Sequence, residues 1–213
     1  MYLVTDGSYG PSAAGIRRNM DPTPARPLHA PQHLTLQTGV SSRPPHRMHP
    51  EHMFVLEDST HIAAPLERVF LLSCSLAIVE RELGMHPVAG PDSNRTAGLA
   101  TAGDRIRWEG WQLGFWNYHV SLISAYRPCE FFQDTMLAGR FRFFQHDHSF
   151  TAAGAEVLLK DTVRFSMPWG WAGQLAGRFI LAPHIAALMR RRFALLKRIA
   201  ESDEWRAYLP DAA

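Results

Sequence analysis

Long apolar runs are missing from this chain. None reaches the roughly 18–20 residues that a membrane-spanning helix needs, so stable membrane insertion is not expected. Cysteine is scarce. Cys74 and Cys129 are the only two, with no short spacing between them. That pattern supports neither a disulfide framework nor a cysteine metal centre, and it fits ordinary buried thiols in a reducing compartment. Charge of one sign is scarce too: 22 Lys and Arg face 20 Asp and Glu. A nucleic-acid partner calls for a stronger basic bias. A phosphate-cradling loop, a nucleophile elbow and an H-E-x-x-H pair are all absent, which argues against nucleotide hydrolysis, serine esterase chemistry and zincin chemistry. The first residues lack the basic and apolar regions of a secretory signal, so the cytoplasm is the expected location.

What is present is unevenly spread. Residues 1–52 hold eight of the fifteen prolines and five of the eleven histidines, with no apolar periodicity. Such a stretch buries too little surface to offset its ordering entropy, and disorder is expected there. The spacing of His29, His33, His46, His49 and His52 is irregular, so composition accounts for them better than a metal tract. Translation from Met48 or Met53 would leave this tail out of the natural protein. The folded domain is expected over 53–205, with a flexible end at 206–213.

From Met53 the pattern becomes regular. Alternation over Phe54–Ile62 predicts a strand. Pro65 sits just inside a helix start, where its missing N–H costs nothing. Short helices follow over Leu66–Leu72 and Leu76–Leu83, the second stopped by Gly84. Residues 87–103 are rich in Pro, Gly and Ala and read as strand and loop. Strands are then predicted over 105–113, 115–126, 130–137, 140–150 and 157–167, with a bulge at Gly110. Connections this short make an antiparallel meander, because parallel neighbours need long crossovers.

Two of these strands carry polar groups on faces that should look inward. Val157, Leu159, Asp161, Val163, Phe165 and Met167 share one face; Phe144, His146, His148 and Phe150 share another. Imidazoles and a carboxylate among phenyl rings suggest a sheet wrapped around a cavity. The last third changes period. Leu175, Phe179, Ala182, Ala186, Met189, Phe193 and Leu196 follow helical steps of 4, 3, 4, 3, 4 and 3. Pro183 should kink or break this helix, leaving a short piece from about Trp171 to Leu181 and a long one over 183–200. Arg190, Arg191, Arg192, Lys197 and Arg198 read as its solvated face, with a membrane-surface role as the less favoured alternative.

The order of elements resembles the helix-grip fold of the START-related superfamily, which includes polyketide cyclases, plant allergen-type carriers and coenzyme-Q-binding proteins. Four segments carry the resemblance: HIAAPLERVF (61–70), SLISAYRPCEFFQDTMLAGRFRFFQHDHSF (121–150), LKDTVRFSMPWGWAGQLAG (159–177) and the final helix. They are similar to a bacterial ligand-binding or cyclase-like branch. The turn that in this branch usually carries Gly-Gly-Thr reads Ala153-Gly154-Ala155 here. The implied fold is α+β: a curved antiparallel sheet of about six or seven strands around a long C-terminal helix, with two short helices after the first strand. The implied activities are binding of a hydrophobic small molecule or lipid, cyclase or dehydratase chemistry, and coenzyme-Q-like lipid chaperoning. No cofactor is implied, and the oligomeric state is left open.

The candidate chemistry is narrow. His146, His148 or His119 would serve as a general base, poised near neutral pH by a carboxylate. The same imidazoles would bind zinc if Asp161 or His119 supplied a third ligand, but nothing else in the sequence supports a metal and none is expected. Asp161 reads as catalytic or, more simply, as an ion-pair partner of Arg105, Arg107, Arg140 or Arg142; Asp134 has the same two readings. His119 and Tyr118 lie on opposite faces, so at most one of them looks inward without a bulge. Trp108, Phe132, Asp134, Phe144, Phe165, Trp171, Phe179 and Met189 are the candidate ligand-binding residues. Trp169 and Trp171 gate the pocket or staple the turn.

Overall fold

The computed structural model describes residues 53–209; the expectations for 1–52, including the start at Met48, and for 210–213 lie outside it. Strand β1 covers Phe54–Ile62, followed by helices α1 (Leu66–Cys74) and α2 (Leu76–Leu83). Strands β2 (Met85–Val88), β3 (Arg105–Gln112), β4 (Phe115–Arg127), β5 (Phe131–Ala138), β6 (Phe143–Ala153) and β7 (Glu156–Ser166) complete one seven-stranded sheet. The C-terminal rod comprises α3 (Gly170–Ala176), a π-helical turn (Gly177–Leu181) and α4 (Ala182–Glu201), with a short 3-10 turn at Asp203–Ala207 behind it. No described helix is long and apolar enough to cross a membrane.

Strands β2 to β7 form the predicted meander, and β1 closes on β7 at the far edge, giving the order β1-β7-β6-β5-β4-β3-β2. Every pairing is antiparallel. This is the helix-grip arrangement, with α4 packed on β1, α1 and α2. Phe70 of α1 is buried against Phe150, at 5.1 Å between ring centroids, and edge-on to Phe132 at 6.0 Å. Each such phenyl contributes roughly 1.5–3 kcal/mol of burial. Residues 206–209 continue the last turn, and Leu209 is buried in the same cluster as Phe70.

Three local expectations change. Gly110 makes no bulge: β3–β4 runs in unbroken register past it, and β2–β3 runs unbroken up to it. A Cβ there would lie 2.9 Å from both the Gly84 oxygen and the Met85 Cα, so glycine is needed for close strand approach. The bulges fall between β4 and β5, with Leu137 of β5 the extra residue opposite Val120 and Ser121 and Ser124 of β4 the extra residue between Ile123 and Ala125, where they bend the sheet. Pro183 does not break the rod, but the α-helix is interrupted by a π turn just before it, and the short and long pieces meet at Leu181–Ala182. The proline sits in the first turn of α4, where its missing donor is tolerated.

The π turn before α4 has a larger effect. It inserts about one residue and rotates everything upstream by about a quarter turn relative to a 3.6 repeat. Leu175 and Phe179 therefore leave the inner stripe, and their chain neighbours Ala176 and Ile180 face the cavity instead.

Candidate functional site

A cavity of about 600 Å³ lies between the curved sheet and the C-terminal rod. Its walls are mainly apolar. Trp108 and Ile106 come from β3, Phe132 from β5, Phe144 from β6, and Ile185 and Met189 from α4. Leu113, Phe115 and Trp169 line its exposed rim. Leu113 has φ 52° and Trp169 has φ 69°, left-handed backbone that a branched or bulky residue adopts only under constraint.

Polar side chains gather on one wall. In β5 and β6 Asp134 stands opposite His146, and Phe132 opposite His148. In β6 and β7 His148 stands opposite Asp161. Because alternate residues share a face, the pleat sends Asp134, His146, His148 and Asp161 to the same side. His148 Nδ1 donates to Asp161 Oδ1 at 2.8 Å. His146 Nε2 lies 3.3 Å from Asp161 Oδ2, out of line for a good hydrogen bond. On the cavity side, Asp134 Oδ2 lies 3.5 Å from His148 Nε2 and 3.9 Å from His146 Nδ1. The two imidazoles are 3.9 Å apart at their centroids, and His148 stacks on Phe132 at 4.2 Å.

Asp161 does not pair with Arg105, Arg107, Arg140 or Arg142. Arg105 and Arg107 alternate with the buried Ile106 and Trp108 on β3, and β4, β5 and β6 separate β3 from β7. Arg140 instead donates to the Trp116 carbonyl. The cation at Asp161 is Arg192 of α4, whose Nε donates to Oδ2 at 3.1 Å and whose Nη1 donates to Glu82 Oε2 of α2 at 3.1 Å. Arg192 is thus buried, not part of the solvated arginine face. Arg192 and Glu82 were not singled out from the sequence. The signal was there: Arg192 falls three residues after Met189 and four before Leu196, on the apolar stripe.

Burial and neighbouring charge set the ionisation of this cluster. Burial opposes charge on Asp161, but the facing His148 and the Arg192 guanidinium outweigh it and hold the carboxyl well below the usual range. Burial likewise opposes charge on Asp134, and the facing His148 with the nearby His146 holds that carboxyl down. Burial alone would lower His148, yet the Asp161 carboxylate prevails and raises it. His146 and His119 are lowered, chiefly by burial. Burial pushes Glu82 up against the pull of Arg192.

The remaining candidates divide. His119 lies opposite Trp108 in the sheet, edge-on to Phe144, and faces the cavity. Tyr118 is exposed and lies beneath the Arg107 guanidinium. Phe165 is fully buried but stacks on Phe54 in the packed core beside the cavity. Trp171 and Phe179 are 78% and 67% exposed and do not line the cavity, because the rod is rotated ahead of the π turn.

No protein-family model matches the chain, and no curated protein matches it in sequence. Solved structures do. The Zhui aromatase/cyclase from Streptomyces sp. R1128 aligns at 15% identity with a TM-score of 0.55, over 75% of this chain and 99% of that one. The di-domain ARO/CYC BexL from the BE-7585A biosynthetic pathway aligns at 14% identity and 0.52, over 72% of this chain and 52% of that one. Ara h 8.0201 aligns at 12% identity and 0.50, over 70% of this chain and 97% of that one. At these identities the likeness is one of fold.

Proposed function

We propose that this chain, which has the helix-grip fold of the START-related superfamily, binds an apolar or aromatic small molecule in its cavity. The carrying observation is an apolar hollow of about 600 Å³ with its polar side chains gathered on one wall. Small-molecule sites are of that size and make-up. The ligand would lay its apolar body against Trp108, Phe144, Ile185 and Met189 and turn a keto or hydroxyl oxygen toward Asp134 and His146.

A second reading is an enzyme of the polyketide cyclase or dehydratase kind, with His146, His148 or His119 as general base. A plain carrier needs only an apolar wall. Imidazoles and a carboxylate converging on one hollow favour acid–base work on a bound carbonyl compound. The coenzyme-Q-like chaperone reading has less support: a membrane contact through the arginines of α4 would need Arg192, which is buried.

Solvent extraction of the purified full chain, followed by mass spectrometry, tests the binding reading. The expected result is one class of apolar compound at near-equal molar ratio in repeated preparations. A chain that yields no such compound and also fails to take up flat aromatic probes in solution overturns it.

A further inference from the structure

We propose that Asp134, His146 and His148 form a binding site for one divalent transition-metal cation, open to the cavity. The sequence pointed to Asp161 or His119 as the third ligand of such a site; the geometry points to Asp134 instead, with Asp161 behind the ligands.

Donor geometry is the first support. One donor atom from each of the three side chains lies within 4.8 Å of the other two. Asp134 Oδ2 is 3.5 Å from His148 Nε2 and 3.9 Å from His146 Nδ1. A tetrahedral zinc ion with bonds near 2.0–2.1 Å places its ligand atoms about 3.3–3.4 Å apart. The observed separations are a few tenths of an ångström wider, and they are long for hydrogen bonds, which cluster near 2.9 Å. The three groups converge on a shared point more than they bond to one another.

The groups behind the ligands are the second support. A metal-bound imidazole uses one ring nitrogen for the ion and gives the other N–H to a carboxylate, which fixes its tautomer and orientation. His148 is arranged this way, and His146 points its Nε2 at the same carboxylate without closing a good hydrogen bond. Asp161 faces His148 Nδ1 at 2.8 Å and His146 Nε2 at 3.3 Å, leaving Nε2 of the first and Nδ1 of the second turned toward Asp134. Arg192 holds Asp161 in place from the helix side.

Charge is the third. Two buried carboxylates, Glu82 and Asp161, pair with one guanidinium, Arg192, while a third, Asp134, faces only the imidazoles. With all three carboxylates ionised and both imidazoles neutral, the cluster is short of two positive charges. A divalent ion closes that difference without protonating any ligand. Two imidazoles and one carboxylate suit zinc, iron(II) or manganese(II) better than magnesium or calcium, which prefer oxygen donors. The Asp134 and His146 side chains are 19% and 14% exposed, and both line the cavity, so the ion's remaining positions face whatever occupies it. Asp134 on β5 and the two histidines on β6 are fixed by strand register, so the site stands whether or not an apolar molecule fills the hollow.

Calorimetric titration tests it. The full chain, free of any affinity tag and stripped with chelator, is titrated with zinc chloride and separately with magnesium chloride. The expected result is one tight zinc site and no comparable magnesium site. Affinity should fall at least about a hundredfold in Asp134→Asn and in His146→Gln, since even partners behind the ligands are worth tenfold to a hundredfold. It should be unchanged when His29, His33, His46, His49 and His52 are all replaced by Ala. X-ray absorption of the zinc-loaded native chain, which needs no variant to fold, should show two imidazoles with oxygen filling the rest. Zinc binding no tighter than magnesium binding overturns the proposal. So does binding that survives Asp134→Asn but is lost with the five tail histidines, or a coordination shell of oxygen alone.

Discussion

Asp161 and Arg192 meet inside the protein at 3.1 Å, with side-chain exposures of 0% and 3%. One comes from the middle of β7 and the other from the middle of α4, so this pair joins the sheet to the rod at the back of the cavity.

Removing Arg192 takes the paired cation from Glu82 and leaves Asp161 facing only the His148 and His146 imidazoles in a dry place. Arg192→Met should cost about 3–5 kcal/mol, the usual loss when a buried pair is broken on one side. Chemical denaturation is the measurement. Adding Asp161→Asn to the same chain should recover part of the loss, because the second change removes the stranded carboxylate. A double variant no more stable than Arg192→Met alone would show that the two residues do not depend on each other.

The hollow itself can be closed by substitution. Leu188 of α4 lines it. Leu188→Trp should fill part of that volume and abolish uptake of a flat fluorescent probe, with circular dichroism unchanged. Probe binding at wild-type strength would place the ligand elsewhere.

Asp104 gives the acid limb of stability. Burial alone would raise its carboxyl, but the Thr101 N–H and hydroxyl and the Arg95 guanidinium outweigh that and hold it below its ordinary 3.8. A carboxyl lowered in the folded state adds stability above its unfolded value and loses it as pH falls through the folded one. The stability gap between the native chain and Asp104→Asn should therefore be full near pH 6 and shrink steadily below about pH 4. A gap that widens on acidification would contradict the assignment.

Phe165 and Phe179 read alike in the sequence and should behave oppositely. Phe165 is fully buried against Phe54, whereas Phe179 is 67% exposed. Phe165→Ala should cost roughly 3–5 kcal/mol. Phe179→Ala should stay within about 0.5 kcal/mol, as exposed positions usually do. Thermal melts of the two variants decide this.

Much of the sheet was legible because alternation is a local signal. β1 spans the predicted Phe54–Ile62, and α2 spans Leu76–Leu83. The inward face of β6 and β7, with His146, His148 and Asp161 on it, followed from the same period of two. What escaped was set by events outside any one segment. The π turn shifted the phase of the rod, so Phe179 was carried onto the wrong face. Gly110 answers to the neighbouring Gly84 and Met85 backbone, which its own strand does not reveal. Arg192 looked like one more surface cation in a run of three, and only its fall on the apolar stripe marked it as different. Asp134 was named singly, but its convergence with two histidines depends on the register between β5 and β6.

The pairing of β1 with β7 has a consequence for how the molecule is made. The partners lie about a hundred residues apart, so Phe54, Leu56 and Ile62 have no strand beside them until β7 emerges. At about 5–20 residues per second of synthesis, that edge waits several seconds on the ribosome with its greasy side uncovered. Aggregation of the nascent chain, and any need for a chaperone, should centre on this first strand.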